Sequence, residues 1–183
     1  GQSTNVELSL GDLVEGTYNF SAEVTNVNAG TDPDISDNSL LDQTINITVP
    51  VPNFSLTDSD GNPWKLYDQL ASGKMVVLDF FASWCTPCES STPELNEFYE
   101  QNSSSVDVFG ITVEEADNDA AVNGLNWGAT YPKFSYSNVG IAQYSHYAGV
   151  MGYNTQGSIP FFIMICPNPD NLAYSEVVAN EVG

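Results

Sequence analysis

A chain of 183 residues, 42% of them hydrophobic, is long enough for one ordinary domain with a smaller appendage and too apolar to be disordered. Asp and Glu number 24 against three lysines and no arginine, so the formal net charge is −21. This charge leaves no basic patch for nucleic-acid phosphates or anionic lipid headgroups. No apolar run approaches the roughly 20 residues that cross a bilayer. We therefore expect neither a nucleic-acid partner nor a membrane span.

The first segment, residues 1–49, is rich in Thr, Asn, Ser and Val and contains three strand-like runs. Apolar and polar residues alternate with period two in the middle run, which is the pattern of a half-buried strand. The segment resembles the last strands of an immunoglobulin-like adhesion module of bacterial surface proteins. Because such a sandwich needs about seven strands, we interpret the segment as a partial module, either the tail of a longer domain or a piece that packs on the domain after it. The three runs cover residues 6–10, 17–27 and 41–49.

A turn-forming stretch over residues 28–38 separates two of these runs and carries several acidic side chains. Calcium favours clustered oxygen ligands, so Asp32, Asp34 and Asp37 are candidate calcium ligands. Their spacing does not match an EF-hand loop, and the closing Glu of such a loop is absent. A plain acidic turn is therefore the favoured interpretation, and a calcium site is the alternative.

A second domain is predicted over residues 50–183, because Pro50 and Pro52 form a stiff hinge that cannot continue a strand ladder. Strand and helix patterns then alternate, which predicts an α/β fold whose central sheet is parallel in part and flanked by helices. The pattern lacks a helix that would cover one face after the last strand, so we expect the protein to continue beyond Gly183. Predicted strands cover residues 54–56, 75–81, 106–113, 161–165 and 172–178, and predicted helices cover 66–70, 88–101, 119–125 and 141–147.

The chemistry of the sequence concentrates in one Cys-x-x-Cys motif, Cys85 to Cys88, directly after the buried run 75–81. A dithiol exchanger needs two sulfurs within reach of each other and one of them activated as the thiolate. At the start of a helix, unpaired N–H groups and the positive end of the helix dipole favour negative charge on the first cysteine. Pro87 fits the first helical turn, where its missing N–H does no harm. The motif therefore predicts a redox-active disulfide between Cys85 and Cys88.

The segment 77–88, Val-Leu-Asp-Phe-Phe-Ala-Ser-Trp-Cys-Thr-Pro-Cys, is similar to the active-site segment of thioredoxins. The lead-in over 52–62, and Pro93-Glu94-Leu95 after the motif, resemble the exported thiol–disulfide oxidoreductases of the TlpA/ResA type. This resemblance covers residues 52–178 and is weaker between 115 and 157. It implies a thioredoxin-like fold, exchange of the dithiol with disulfides of exported proteins, and no cofactor beyond the cysteine pair.

The resemblance also implies a role for each residue of the site. Cys85 matches the nucleophile that forms a mixed disulfide with the substrate, and Cys88 matches the thiol that resolves it. Pro160 matches the cis-proline that faces the pair and would hold the backbone of Ile159 ready to bind an extended substrate chain. Trp84 matches the aromatic residue that shields one side. The predicted substrate-contacting residues are Trp84, Thr86, Pro87 and Ile159.

Two carboxylates are candidates for handling the proton of the Cys88 thiol. Asp79 matches the buried acid of thioredoxins, and Glu115 matches the acid of ResA-like proteins, although Glu114 is one register away. A carboxyl group buried in an apolar strand has a raised pKa, which suits it to accept a thiol proton. The alternatives are a satisfied structural polar group at Asp79 and an ordinary loop acid at Glu115.

We expect a reducing or mildly reducing site rather than a strong oxidant of the DsbA kind. Thr86 and Pro87 add no charge between the cysteines, and the acidic surface disfavours the thiolate. The partners would be protein thiols or disulfides and an electron donor that the sequence does not identify. The adhesion-like segment and the TlpA/ResA resemblance predict export to the periplasm or the cell surface. The chain begins without an initiator Met or a signal-peptide core, which we interpret as a mature or excised piece.

Three rival functions fit parts of the sequence. The main alternative is a non-catalytic surface or adhesion protein whose CxxC is a structural disulfide and whose strand-rich segment does the binding. A peroxiredoxin-like peroxidase shares the lead-in, but it uses an arginine at its reactive thiolate and this chain has none. A Sco-type copper carrier needs CxxxC and a distant histidine, whereas this chain has CxxC and only His146; a two-thiol Cu(I) site stays chemically open. We interpret Cys166 as a small buried hydrophobe, with pairing to a cysteine of a longer chain as the alternative.

Overall fold

The computed structural model describes residues 16–23, 39–47, 49–154 and 156–180. The chain divides into two compact units, Gly1–Val49 and Pro50–Gly183. In the first unit, strand β1 (Gly16–Glu23) pairs antiparallel with strand β2 (Ser39–Ile47), and a bulge-like irregularity interrupts their register between Phe20 and Ala22.

Several predictions for the first unit lie outside the described residues. These are the strand over residues 6–10, the turn over 28–38 and the calcium ligands Asp32, Asp34 and Asp37. The two described strands overlap the predicted runs 17–27 and 41–49. The immunoglobulin-like interpretation of this segment stays a prediction.

The second unit alternates strands and helices along the chain. Its strands are β3 (Ser55–Thr57), β4 (Pro63–Lys65), β5 (Met75–Phe81), β6 (Val106–Thr112), β7 (Lys133–Phe134), β8 (Phe161–Cys166) and β9 (Glu176–Asn180). Its helices are α1 (Leu66–Ala71), α2 (Thr86–Asn102), α3 (Asp119–Asn123) and α4 (Asn138–Ser145), and α4 continues as a π-helical turn over His146–Val150. A 3-10 turn over Leu172–Tyr174 precedes β9.

Five strands form the central sheet, in the order β7-β6-β5-β8-β9. Strands β5, β6 and β7 run parallel, whereas β8 and β9 run antiparallel to their neighbours. Strands β3 and β4 form a separate two-stranded hairpin. The prediction of an α/β fold whose sheet is parallel in part is therefore confirmed. The run of β5, apolar except for Asp79, is explained by its central place in the sheet.

Side chains of β5 alternate between the two faces of the sheet, as the pleat requires. Its even-numbered residues join the larger core with buried residues of β6 and β8. Its odd-numbered residues point to the face that α2 covers: Val77 packs with Leu95, and Phe81 belongs to the buried cluster that contains Cys88. Asp79 lies between these two in the strand. The sheet thus places a carboxyl group beneath the helix that carries the cysteines.

The element boundaries differ from the sequence-based prediction where local signals are weak. The last strand begins at Glu176 rather than 172, because the preceding residues form the 3-10 turn Leu172–Tyr174. The helix predicted over 119–125 ends at Asn123, before Gly124. Strands β4 and β7 are only three and two residues long, too short for a hydrophobic period to show in the sequence.

An apolar groove of about 540 Å³ lies between α2 and strands β5, β8 and β9. Phe98 and Val178 are both exposed along it. Among the described residues, no helix combines the length and apolar character needed to span a membrane.

Candidate active site

The cysteine motif lies where β5 ends and α2 begins. Cys85 is the N-cap of α2, with φ −81° and ψ 98°, and its sulfur accepts a hydrogen bond from the backbone N–H of Cys88 over 3.2 Å. Pro87 falls in the first turn, where it removes no helical hydrogen bond. The strand delivers the first cysteine to the positive end of the helix dipole, as the sequence predicts.

The structure brings Cys85, Cys88, Ile159 and Pro160 together. The two sulfurs form a disulfide bond, and the Ile159–Pro160 peptide bond is cis. The carbonyl oxygen of Ile159 lies 3.8 Å from Sγ of Cys85. Cys85 is 3% exposed and Cys88 is 1% exposed, so neighbouring residues cover most of the surface of both cysteines.

The predicted substrate-contacting residues differ in their exposure to solvent. Trp84 is 66% exposed, Thr86 and Pro87 are exposed, and Ile159 is half-buried. The indole Nε1–H of Trp84 donates a hydrogen bond to Oε2 of Glu114 over 2.7 Å. The large apolar ring next to Cys85 is therefore held on one side by a carboxylate from the loop after β6.

Glu115 is not brought to the cysteine pair. It is exposed and has no hydrogen bond or ion pair in the part of the chain that the structure describes. The reason is that β6 ends at Thr112, and the N–H of Val113 donates the last bond to the carbonyl of Phe81. Glu115 is exposed in the loop beyond this point, so the interpretation of Glu115 as an ordinary loop acid fits its position.

Asp117 is a residue of the site that the sequence analysis did not single out. Its buried carboxylate accepts the backbone N–H of Ser83 (2.9 Å) and the hydroxyl groups of Ser83 (2.5 Å) and Thr112 (2.7 Å). These bonds join the loop before Trp84 to the end of β6. In the sequence, Asp117 is one of several acids between 114 and 119, and no local signal separates it from the others.

Asp79 is the one predicted acid that lies beneath the motif. Its side chain is buried, and burial raises the pKa of the carboxyl group to about 7, although a hydrogen bond from Tyr131 opposes the rise. The hydroxyl of Tyr131 donates that bond to Oδ2 over 3.0 Å. Burial, and then the neighbouring Asp79 carboxylate, raise the pKa of Tyr131 far above its usual range, so the phenol keeps its proton.

A small cavity of about 10 Å³ adjoins Asp79. Its walls include Phe81, Leu125 and Trp127, which also pack in the cluster around Cys85 and Cys88. A cavity of this size is close to the minimum for one water molecule. Asp79 is thus separated from the cluster of the cysteine pair by side chains that line this cavity.

The remaining cysteine and the histidine lie elsewhere in the second unit. Cys166 is a half-buried free thiol at the end of β8, and burial together with the nearby charge of Glu176 raises its pKa. Burial lowers the pKa of His146, whose ring lies edge-on to Tyr147. In the described part of the chain, no group of three or more His, Cys, Asp or Glu side chains could hold a metal ion.

The mixed sheet and the helix that begins at the cysteine pair define the second unit as a thioredoxin-like domain. The chain belongs to the AhpC/TSA family, whose model matches residues 47–138.

The curated relatives described here are thiol-disulfide oxidoreductases. The thiol-disulfide oxidoreductase ResA of Bacillus anthracis is 36% identical over 83 residues, which are 44% of this chain and 46% of that protein. ResA of Geobacillus kaustophilus is 34% identical over 82 residues, again 44% and 46%. The chain therefore spans less than half the length of these curated relatives.

Two solved structures share the fold. A thiol:disulfide interchange protein of the thioredoxin family from Chlorobium tepidum superposes with a TM-score of 0.55 at 25% identity, over 71% of this chain and 84% of that one. The thioredoxin domain of a thiol-disulfide oxidoreductase from Bacteroides vulgatus superposes with a TM-score of 0.51 at 20% identity, over 73% and 86%. The second likeness shows the fold alone.

Proposed function

We propose that the protein is a thiol–disulfide oxidoreductase that exchanges the Cys85/Cys88 dithiol with disulfides of other proteins. One observation carries the proposal: the Cys85–Cys88 disulfide lies at the start of α2, and the carbonyl oxygen of Ile159 lies 3.8 Å from the Cys85 sulfur. An extended peptide bound along Ile159 would pass beside that sulfur. The family and the ResA relatives support the same chemistry.

The first step is attack by the Cys85 thiolate on one sulfur of a substrate disulfide. A bond forms between Cys85 and that sulfur, the substrate S–S bond breaks, and the second substrate sulfur leaves as a thiolate and takes a proton from water. The N–H of Cys88, 3.2 Å from the Cys85 sulfur in the oxidised protein, is placed to stabilise the thiolate.

In the second step Cys88 resolves the mixed disulfide. Its thiol gives a proton to Asp79, and the thiolate attacks the Cys85 sulfur. The Cys85–Cys88 bond forms, the mixed disulfide breaks, and the substrate leaves as a second thiolate that is then protonated. Two electrons and two protons pass to the substrate in all. Asp79 suits this role because its pKa of about 7 lets it accept and return a proton.

We propose that the net direction is reducing or mildly reducing. A strong oxidant owes its potential to a stabilised thiolate. Among the described residues, no lysine or histidine bonds to Cys85, and the two residues between the cysteines are uncharged. Equilibration of the pair with glutathione checks this; a potential near about −120 mV, the value for DsbA, would contradict it.

We also propose that the protein acts outside the cytoplasm, on protein thiols or disulfides and with an electron donor whose identity is open. The resemblance of the lead-in to exported TlpA/ResA proteins and the adhesion-like pattern of residues 1–49 support this location. Recovery of the protein from the periplasm or cell surface is the expected result, and recovery from the cytoplasm alone would contradict it.

A second candidate function is a non-catalytic surface protein in which the disulfide is structural. The burial of both cysteines favours it, since Cys85 and Cys88 are only 3% and 1% exposed. Insulin reduction with dithiothreitol separates the two. The oxidoreductase reduces insulin and loses this activity on Cys85→Ser, whereas Cys166→Ser retains it. No turnover by the wild-type protein would favour the structural disulfide.

A further inference from the structure

Asp79 is paired with a phenol rather than with a cation. The hydroxyl of Tyr131 donates a 3.0 Å hydrogen bond to Oδ2 of Asp79, and both side chains are buried. The ion pairs of the described residues join Lys65 to Asp68 and Lys74 to Asp107, so none of them reaches this carboxylate. The charge on Asp79 is therefore stabilised by a neutral donor.

The backbone of the neighbouring strand makes room for this pairing. Gly110 in β6 lies directly opposite Asp79 in the parallel register. A Cβ placed on Gly110 would lie 3.0 Å from Cε2 of Tyr131, closer than ordinary van der Waals contact. A residue with a side chain at this position would push the phenol ring away from the carboxylate.

The pairing continues to the helix of the cysteines. Thr92 lines the same small cavity as Asp79 and Tyr131, and its Oγ1 donates to the backbone carbonyl of Cys88 over 2.8 Å. Thr92 is buried as well. Thr92 therefore lies between the Asp79–Tyr131 pair and the helical turn that carries Cys88.

We propose that Tyr131 is a positioning residue for the dithiol chemistry: its hydroxyl holds the Asp79 carboxylate in the orientation and charge state that accept the proton of the Cys88 thiol. This inference rests on the proposed function. Without the hydroxyl, burial of Asp79 is uncompensated, and the carboxyl group keeps its proton to a higher pH. Resolution of the mixed disulfide then requires a higher pH.

Other titratable groups lie near the Asp79–Tyr131 pair. From α2, the ring of Tyr99 packs edge-on to Tyr131, with the ring centroids 6.0 Å apart. From β7, Lys133 lines the same small cavity. Because Tyr99 contacts the Tyr131 ring while Tyr131 makes the bond to Asp79, Tyr99 provides a matched control in which a hydroxyl is removed without removing that bond.

The test is a stopped-flow reaction of the reduced protein with the aromatic disulfide 5,5′-dithiobis(2-nitrobenzoate), in a Cys166→Ser background so that only the pair reacts. Attack by Cys85 releases one coloured thiolate, and resolution by Cys88 releases the second. The rate of the second phase should fall as the pH is lowered, and we call this fall the acidic limb of its pH profile. We expect the midpoint of this limb to move up by about one pH unit in Tyr131→Phe. The limb should stay in place in Tyr99→Phe and disappear in Asp79→Asn, where adding Tyr131→Phe changes nothing further.

A variant with the opposite sign keeps the test independent of lost stability. Replacing Tyr131 by 3-fluorotyrosine keeps the ring and makes the hydroxyl a stronger donor, so the limb should move to lower pH. An unmoved limb in Tyr131→Phe, or a rate lowered equally at all pH values, overturns the inference alone. A wild-type protein that never releases the second thiolate overturns the proposed function and this inference with it.

Discussion

The carboxylate of Asp117 binds both the backbone N–H and the hydroxyl of Ser83, two residues before Cys85. It also accepts the hydroxyl of Thr112 at the end of β6. One buried side chain therefore joins the motif loop, which begins where β5 ends, to the end of the neighbouring strand. The position of Cys85 therefore depends on the three hydrogen bonds to Asp117 as well as on its place as the N-cap of α2.

Replacement of Asp117 by Ala should destabilise the domain by about 2–3 kcal/mol, because two donors of the half-buried Ser83 and the buried hydroxyl of Thr112 lose their acceptor. Asp117→Asn keeps one acceptor oxygen and should lose less. Urea denaturation monitored by circular dichroism measures both. Glu115→Ala, two residues away but exposed and without hydrogen bonds among the described residues, is the control and should be neutral. Equal losses for Asp117→Ala and Glu115→Ala would contradict this account.

The Trp84–Glu114 bond should matter more for substrate binding than for stability. The pair is at the surface, where such a bond contributes less than about 1 kcal/mol. Glu114→Ala frees the indole beside Cys85, so we expect KM for insulin to rise about two- to fivefold with kcat little changed. Glu114→Gln keeps an acceptor and should bind nearly as the wild type does.

The same variant has a readout that does not depend on activity. The indole N–H of Trp84 should exchange with solvent faster in Glu114→Ala, as seen by NMR, while the indole of Trp64, which donates to Asp58, stays unchanged. Identical exchange at Trp84 in the wild type and the variant would show that the bond does not order the ring.

Local sequence features predicted the part of the site that is continuous in the chain. An apolar strand, a Cys-x-x-Cys and a helix succeed one another, and each carries its own signal. The cis-proline came from the resemblance at Pro160 rather than from spacing. The fold class came from the alternation of elements, which short strands such as β4 and β7 did not disturb.

The contacts that complete the site come from tertiary structure. Tyr131 and Asp79 are 52 residues apart in the chain, and Asp117 and Ser83 are 34 apart. Whether Glu114 or Glu115 approaches the motif is decided by where β6 ends, and a run of acids has no period that shows this. The resemblance singled out Asp79, which lies in the buried strand, and Glu115, which is exposed in the loop after β6. The role of each acid stays a prediction.

Asp79 should make stability depend on pH in a known direction. Its pKa is about 7 in the folded protein against an ordinary value of 3.8, so the folded state holds this proton more tightly than the unfolded state. The favourable contribution is complete below pH 3.8 and is lost as the pH rises through about 7. Asp79→Asn removes this loss and should gain stability relative to wild type at high pH, by up to about 4 kcal/mol.

The measurement is urea unfolding of oxidised wild type and Asp79→Asn at pH 5 and pH 8. All other titrating groups are common to both proteins. The difference between their free energies of unfolding therefore reports on Asp79 alone. The advantage of the variant should be larger at pH 8 than at pH 5. A difference that is the same at both pH values would show that the carboxyl group does not titrate in this range.

Gly110→Ala should be destabilising although alanine restricts the unfolded chain more than glycine does. The new Cβ would lie 3.0 Å from the Tyr131 ring and 3.5 Å from Cε1 of Phe81, so the packed side chains must shift. We expect a loss of about 1–3 kcal/mol. Gly149→Ala is the matched control, since nothing lies within 4 Å of its added Cβ, and it should be neutral or slightly stabilising.

A double-mutant cycle locates the cause of that loss. If the clash is with the phenol ring, Gly110→Ala should cost much less in a Tyr131→Ala background than in the wild type, because the truncated side chain leaves space for the methyl group. An unchanged cost in that background would place the strain elsewhere, at Phe81 or in the strand itself. The opening beside Gly110 would then not be what lets Tyr131 reach Asp79.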